Sequence, residues 1–375
     1  MPAAIEISPL LNRTTPRVFI AATRMNEGKT TLALGLISAL RGRSQRIGYI
    51  KPVGQRFVEV DGRKIDEDPV LINRVFGGGD PIAEMSPVAV EPEFTRKYLQ
   101  GGNHAALVRA VTGAFDRIAW EKDFVVVEGT GHAGVGSVFD LSNATVASLL
   151  NAKALLITQG GIGRPVDEVA LNRALFDKMG VPLVGVIMNK VRMDKFQQIE
   201  DFARKGFKRI GVDLLGVMPR LQTLENPTLG QICAQLDAFF LHAEESRDLR
   251  VDRVVVGAPG LKQGGAPIFS RTLIILPGDS ADLILSLLGA AAAPGNPGPV
   301  GLVLSDHPQP QHHVMEAIRH SRLPVIATPL DSYTVASRIS DLTVKTQASD
   351  GDKIETIRTL VREHIDIDRL LRAVR

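Results

Sequence analysis

The densest chemical signal in the sequence is the run Ala22-Thr23-Arg24-Met25-Asn26-Glu27-Gly28-Lys29-Thr30-Thr31. It follows an apolar stretch with strand character and opens a segment with helical spacing. A turn of that kind aims backbone N–H groups and the positive end of a helix dipole at phosphate oxygens. Lys29 brings a point charge toward the terminal phosphates, and the Thr30 hydroxyl suits Mg2+. The strict spacing G-x-x-x-x-G-K-[ST] requires glycine at position 23, where Thr23 stands. The strand–loop–helix context is nevertheless that of a phosphate loop. Asn26, Glu27, Gly28, Lys29, Thr30 and Thr31 are therefore the expected nucleotide cradle.

Three further segments carry groups that suit such a loop. Val125-Val126-Val127-Glu128-Gly129-Thr130-Gly131 is an apolar strand ending in one carboxylate. In open α/β folds ligands gather at that end of the sheet, and Glu128 is there as a metal-side acid. In Tyr49-Ile50-Lys51-Pro52-Val53-Gly54, Pro52 keeps Lys51 extended, so the ammonium can point from a strand end toward anionic groups. Asp66-Glu67-Asp68 precedes an apolar run, and either holds a metal or satisfies a helix N-terminus.

These groups need a scaffold that delivers strand ends to one edge. Short apolar runs, Val18–Ala22, Ile47–Ile50, Phe124–Val127, Ala154–Thr158, Leu183–Met188 and Leu214–Val217, alternate with helical stretches around His104–Ala119, Asp167–Met179 and Lys195–Ile210. That rhythm predicts an α/β fold, a doubly wound parallel sheet covered by helices on both faces. A second βα rhythm uses Thr272–Leu276, Val300–Leu304, Val325–Ala327 and Leu342–Val344. The expected division is a disordered lead-in over 1–16, a phosphate-loop domain over 17–243, a charged linker over 244–253 and a smaller α/β domain over 254–375. Gly289–Gly298 reads as a surface loop, Trp120 as core, His312-His313 as a surface pair, and Asp167 and Glu168 as a helix start.

The 375 residues suit two domains, and 44% hydrophobic with 23% charged residues is ordinary for globular chains. A net charge of +3 is too small for a nucleic-acid footprint. The single cysteine, Cys233, excludes an internal disulfide and a cysteine zinc cluster. With no membrane-length apolar run and no secretory leader pattern, the expected compartment is the cytoplasm.

Taken together, Ala22–Thr30, Tyr49–Val53, Asp68 and Val127–Gly131 resemble the dethiobiotin synthetase family of P-loop ligases. Gly185-Val186-Ile187-Met188-Asn189 looks like that family's strand ending in an adenine-contacting Asn, and Leu215-Gly216-Val217-Met218-Pro219 like its L-G-x-I-P segment. The resemblance implies ATP and Mg2+ as cofactors, with Lys29 and Lys51 catalytic, Asn189 and Pro219 on the nucleotide, and Thr30, Asp68 and Glu128 on the metal. Lys51 would meet a reacting carboxylate or carbamate. Arg192 stands where a guanine-reading N-K-x-D motif needs Asp, which favours ATP over GTP. Arg24 and Gly54-Gln55-Arg56 depart from the family on its substrate side, so a substrate other than the biotin precursor is expected.

The chain also resembles, over nearly its whole length, the N-terminal half of the long bacterial phosphate acetyltransferases: a dethiobiotin-synthetase-like domain, then a DRTGG domain. Ser86-Pro87-Val88, Phe94–Leu99 and Gly160–Glu168 look like that branch, as do Leu273–Asp279 and Ser332–Ala336 in the second domain. Ser305-Asp306-His307 occupies the place of the Thr-Gly-Gly turn. Arg375 is where the acetyltransferase domain would begin, so acetyl transfer is not expected of these residues. Two functions follow from the resemblance: an ATP-dependent ligase-like enzyme on a small carboxylate or amine, or a nucleotide- or metabolite-sensing regulatory protein. The expected partners are a nucleotide, an unidentified small molecule and a second copy of the chain in a homodimer or higher assembly, with neither nucleic acid nor membrane.

Overall fold

Apolar runs such as Val18–Ala22 and Val125–Val127 become strands buried on both faces, as near-continuous Val, Ile and Leu segments do in parallel sheets. The structure is a computed structural model that describes residues 10–43, 45–257, 271–293 and 298–375. It divides into two units, Met1–Arg220 with Thr346–Arg375, and Leu221–Lys345.

In the first unit β1 (Arg17–Ala22), β2 (Ile47–Ile50), β3 (Phe124–Glu128), β4 (Lys153–Gln159), β5 (Leu183–Val191) and β6 (Leu214–Pro219) form one sheet. Their order is β6-β5-β4-β1-β3-β2, and every neighbouring pair is parallel. The chain runs outward on one side of β1 to β3 and β2, and on the other to β4, β5 and β6. The crevice of such a doubly wound sheet opens at the carboxyl ends of the strands where the order reverses. Helix α1 (Lys29–Arg41) follows β1 directly, α2 (Glu67–Phe76) follows a hairpin of Phe57–Val60 and Arg63–Asp66, and α3 (Arg164–Lys178) follows β4.

The last thirty residues return to this first unit rather than completing the second. Helix α4 (Gly351–His364) buries Ile354, Ile357, Leu360 and Val361, a helical stripe. Gly35 of α1 lies so close to Val361 that any Cβ there would collide with it. Ile365 makes an isolated antiparallel bridge to Gly216 of β6. The following helix α5 (Ile367–Val374) buries Ile367, Leu370 and Val374, and the Ala373 carbonyl accepts from Lys153 Nζ at 2.8 Å. The expected 254–375 domain is thus split, because the apolar face of α4 finds its complement on α1.

In the second unit β7 (Phe239–His242), β8 (Arg253–Val256), β9 (Thr272–Pro277), β10 (Gly301–Ser305) and β11 (Val325–Ala327) order as β7-β11-β10-β9-β8. All pairs are parallel except β7 with β11. Alternate β9 residues feed two cores, Ile274 and Leu276 on one face, Leu273 and Ile275 on the other.

Several expectations change. The 244–253 stretch belongs to the second unit: Val251 is buried, and Leu249 O accepts from Leu229 N at 2.9 Å. Leu342–Val344 forms no strand. Of the lead-in, residues 1–9 lie outside the described residues. Residues 10–16 are held in place, with Leu11 N and Asn12 N donating to Asp116 at 3.0 and 2.8 Å. Gly289–Ala292 is helical, and 294–297 lie outside the described residues. Trp120, expected in the core, is 73% exposed beyond the end of its helix. His312 and His313 are exposed at a helix start.

Candidate functional site

The loop leaves β1 at Ala22 and is pinned before it turns. Thr23 N donates to Ile157 O at 2.9 Å, and the Thr23 hydroxyl to Thr158 Oγ1 at 3.0 Å, both partners lying on β4. A buried Thr23 therefore anchors the loop to the neighbouring strand where the strict motif has glycine. Gly28 ends the loop at φ +104°, a left-handed conformation disfavoured for other residues, and a Cβ there would strike the Asn189 side chain. Asn189 Nδ2 donates to Glu27 O at 2.8 Å, and Lys190 Nζ to Asn26 O at 2.9 Å. Two residues of β5 thus shape the loop from the side.

Gly28 caps α1 without a side-chain hydrogen bond, and no acid occupies the first turn. The first N–H groups of a helix lack intrahelical partners, so Lys29, Thr30 and Thr31 present an uncapped positive end. Burial lowers the Lys29 pKa from its ordinary value, while the charge of Glu128 works in the opposite direction.

Glu128 ends β3 beside this turn. It accepts from the Thr30 hydroxyl at 2.7 Å and from the Tyr49 hydroxyl at 2.8 Å, and is 1% exposed. Burial pushes its carboxyl up to about 7, with Asp68 adding to the rise and Lys51 opposing it. Lys51, at the end of β2, is buried between two acids: its ammonium donates to Asp66 Oδ1 at 2.8 Å and also to Asp68 Oδ2. Burial works against that charge, but Asp68 and Asp66 outweigh it and raise the pKa above the ordinary lysine range. Asp66 is the N-cap of α2, accepting from Asp68 N at 3.0 Å. The helix-start reading of the 66–68 cluster falls to Asp66, which caps, while Asp68 faces the charge cluster.

Lys29, Thr30, Lys51, Asp68 and Glu128 thus converge as one group. Asn189 joins the loop itself, and Pro219 reaches the same end of the sheet through its register with Val191. Three contributors lie within the quoted segments but had no site role assigned to them by sequence. Tyr49 precedes Lys51 by two residues, so strand alternation places both on one face. Asp66 differs from Asp68 only by its position at the cap. Arg24 pairs with Glu168 of α3 at 2.7 Å, and Arg164 takes the same carboxylate oxygen at 2.7 Å; Asp167 is exposed in the first turn.

The donors near the loop are a hydroxyl and carboxylates, the hard oxygens that Mg2+ prefers. Among the described residues no group of three or more His, Cys, Asp or Glu side chains forms a cage that could hold a metal alone. Mg2+ characteristically binds through one or two carboxylates plus nucleotide phosphates, so Thr30, Asp68 and Glu128 fit. Among the described residues no helix is long and apolar enough to cross a membrane.

In the second unit the segments after β9 and β10 meet: Gly278 N donates to Ser305 O at 3.0 Å, and the Ser305 and Ser332 hydroxyls lie 2.6 Å apart. Asp306, in the place of a turn glycine, adopts φ +60°.

The sheet order and the loop define a P-loop α/β protein. The chain belongs to the AAA domain family, whose sequence pattern matches residues 16–228, more than half of its length. Residues 231–342 match the DRTGG domain, and α4 and α5 lie beyond both matches. The phosphate acetyltransferase of Nitratidesulfovibrio vulgaris is 25% identical over 362 residues, covering 94% of this chain and 51% of its own. That of Pseudomonas putida is 28% identical over 364 residues, covering 93% and 50%. The chain spans about half the length of these curated relatives. Among solved structures, the MinD cell division protein of Aquifex aeolicus is 14% identical, covers 56% of this chain and 84% of that one, and has a TM-score of 0.35.

Proposed function

We propose that the first unit binds ATP with Mg2+ at Ala22–Thr31 and that the chain serves as a nucleotide-sensing regulatory module. The observation that carries nucleotide binding is the uncapped start of α1, with Lys29 in its first turn and Thr30 bonded to Glu128 at 2.7 Å. ATP phosphates would lie on those N–H groups and Lys29. Thr30, Asp68 and Glu128 would hold the metal, which when bound neutralises charge on the terminal phosphates. The state of Lys51 favours sensing over turnover. The lysine that would meet a substrate is buried and neutralised by Asp66 and Asp68. Asp68, the ion-pair partner of Lys51, would also be a ligand for the metal, so nucleotide binding would be coupled to the charge cluster through that carboxylate. The phosphate acetyltransferase relatives support a place in the regulation of acetyl-group metabolism, and assembly into a homodimer or higher oligomer in the cytoplasm belongs to the same reading.

A second reading is a ligase-like enzyme on a small carboxylate or amine, similar to dethiobiotin synthetase. It is favoured by the convergence of two lysines and two acids, a set able to position and neutralise a transferring phosphoryl group. Calorimetric titration with Mg-ATP tests the shared step: Lys29→Ala is expected to weaken binding by about 10- to 100-fold, the loss of a charged phosphate contact. Unchanged affinity would remove both readings. ADP release with a panel of carboxylates and amines separates them, since substrate-stimulated release supports the ligase and binding without turnover supports the sensor.

A further inference from the structure

At the opposite edge of the first unit's sheet, where β1 and β4 begin rather than end, lies a cavity of about 370 Å3. The segment before β1, the turn into β4 and the loop before β5 wall it, together with the last two residues. Arg13, Arg17 and Lys153 line it, all from the body of the chain, and among the described residues no Asp or Glu side chain does. None of these three cations forms a salt bridge with a described acid.

Arg17 is the informative member. It is 4% exposed, and its guanidinium lies 4.5 Å over the Phe115 ring. It donates to the carbonyls of Thr15, Asn12 and Leu150 at 2.8, 2.7 and 3.1 Å and to Asn12 Oδ1 at 3.2 Å. Every one of those acceptors is neutral. Burial accordingly lowers its pKa to about 10, with Asp116 offsetting only part of the penalty. Lys153 likewise donates to a neutral carbonyl, that of Ala373. A buried charge that is only partly compensated is costly, and an arriving anion would relieve the remainder. Clustered cations with no acid among the described lining side chains also disfavour a cationic ligand, and the volume falls in the range of about 300–1,000 Å3 typical of metabolite sites.

We propose that this cavity binds a small polyanion, a molecule carrying two or more phosphate or carboxylate groups, at a site separate from the nucleotide loop. The test is calorimetric titration of the full chain carrying Lys29→Ala, so that the loop does not compete. Pyrophosphate and tricarballylate serve as the phosphate and carboxylate probes, and whichever binds names the chemistry. At least one is expected to bind at a single site. Adding Arg13→Gln with Lys153→Gln should weaken binding by about 10-fold or more, the loss of charge-assisted contacts. Adding Arg13→Lys with Lys153→Arg should retain it. The proposal is overturned if neither probe binds the Lys29→Ala protein, if the neutral pair binds as tightly, or if the charge-conserving pair loses binding as the neutral pair does. Because the loop is disabled throughout, none of these results depends on the function proposed for it.

Discussion

Glu27 puts a carboxylate inside the loop proposed to receive phosphates, and burial lifts its pKa to about 7, with Lys190 opposing and Glu168 adding to the rise. A carboxyl with a raised pKa in the folded state contributes stability that is present below its ordinary value of 4.5 and lost as pH rises through about 7. The thermal midpoint should therefore fall between pH 5 and 8, and Glu27→Gln should flatten that fall in part. Glu128, also lifted to about 7, supplies the remainder. The same ionisation sets negative charge against nucleotide phosphates, so ATP affinity should be higher at pH 6 than at pH 8, and the difference should shrink in Glu27→Gln. A pH-independent affinity in the unaltered protein would show that Glu27 does not face the phosphates. Lys51 makes the second residue-scale prediction. Lys51→Ala leaves Asp66 and Asp68 buried without their cation, at a cost of about 3–5 kcal/mol in chemical denaturation. Adding Asp66→Asn and Asp68→Asn should recover most of it, since what is costly is the unpaired charge.

Helix α1 links the loop at its start to the C-terminal helix along its length, and Gly35 is where the link is tightest. In an exposed helix Gly→Ala stabilises by about 1 kcal/mol. Here the new methyl would meet Val361, so Gly35→Ala is expected to destabilise by about 1–3 kcal/mol, the range of overpacked cores. Val361→Ala removes the obstructing atoms and should restore much of that loss in the double variant. Additive effects in a double-mutant cycle would argue against the contact. The helical stripe of α4 says only that one face is apolar, and many faces could cover it. The alternation of strand and helix was legible because it is local, whereas β7 was missed because it is an edge strand whose one neighbour, β11, is remote in sequence.

For the whole molecule, the return of residues 346–375 makes the second unit an insertion within the first. Removing 346–375 uncovers α1 and the edge strand β6, so it should lower the melting temperature of the first unit and leave that of the second nearly unchanged. Differential scanning calorimetry resolves the two transitions. A chain in which a short flexible linker replaces 221–345 should retain the first transition and ATP binding. Loss of both would show that the first unit needs the insertion to fold.

Backbone order and local pattern determined the phosphate loop, Glu128 at a strand end, Lys51 before a proline and the doubly wound parallel sheet, because each depends on residues adjacent in sequence. Tertiary structure alone decided how those parts are joined. It gave Lys51 to Asp66 and Asp68, bound Tyr49 and Thr30 to one carboxylate, set Glu168 between Arg24 and Arg164, and buried Arg17 among neutral hydrogen-bond acceptors. It also sent the last helices back to the first unit. A side chain's charge is written in the sequence, but its partner is whichever group the folded chain brings within reach, and an apolar helix face takes whichever surface complements it.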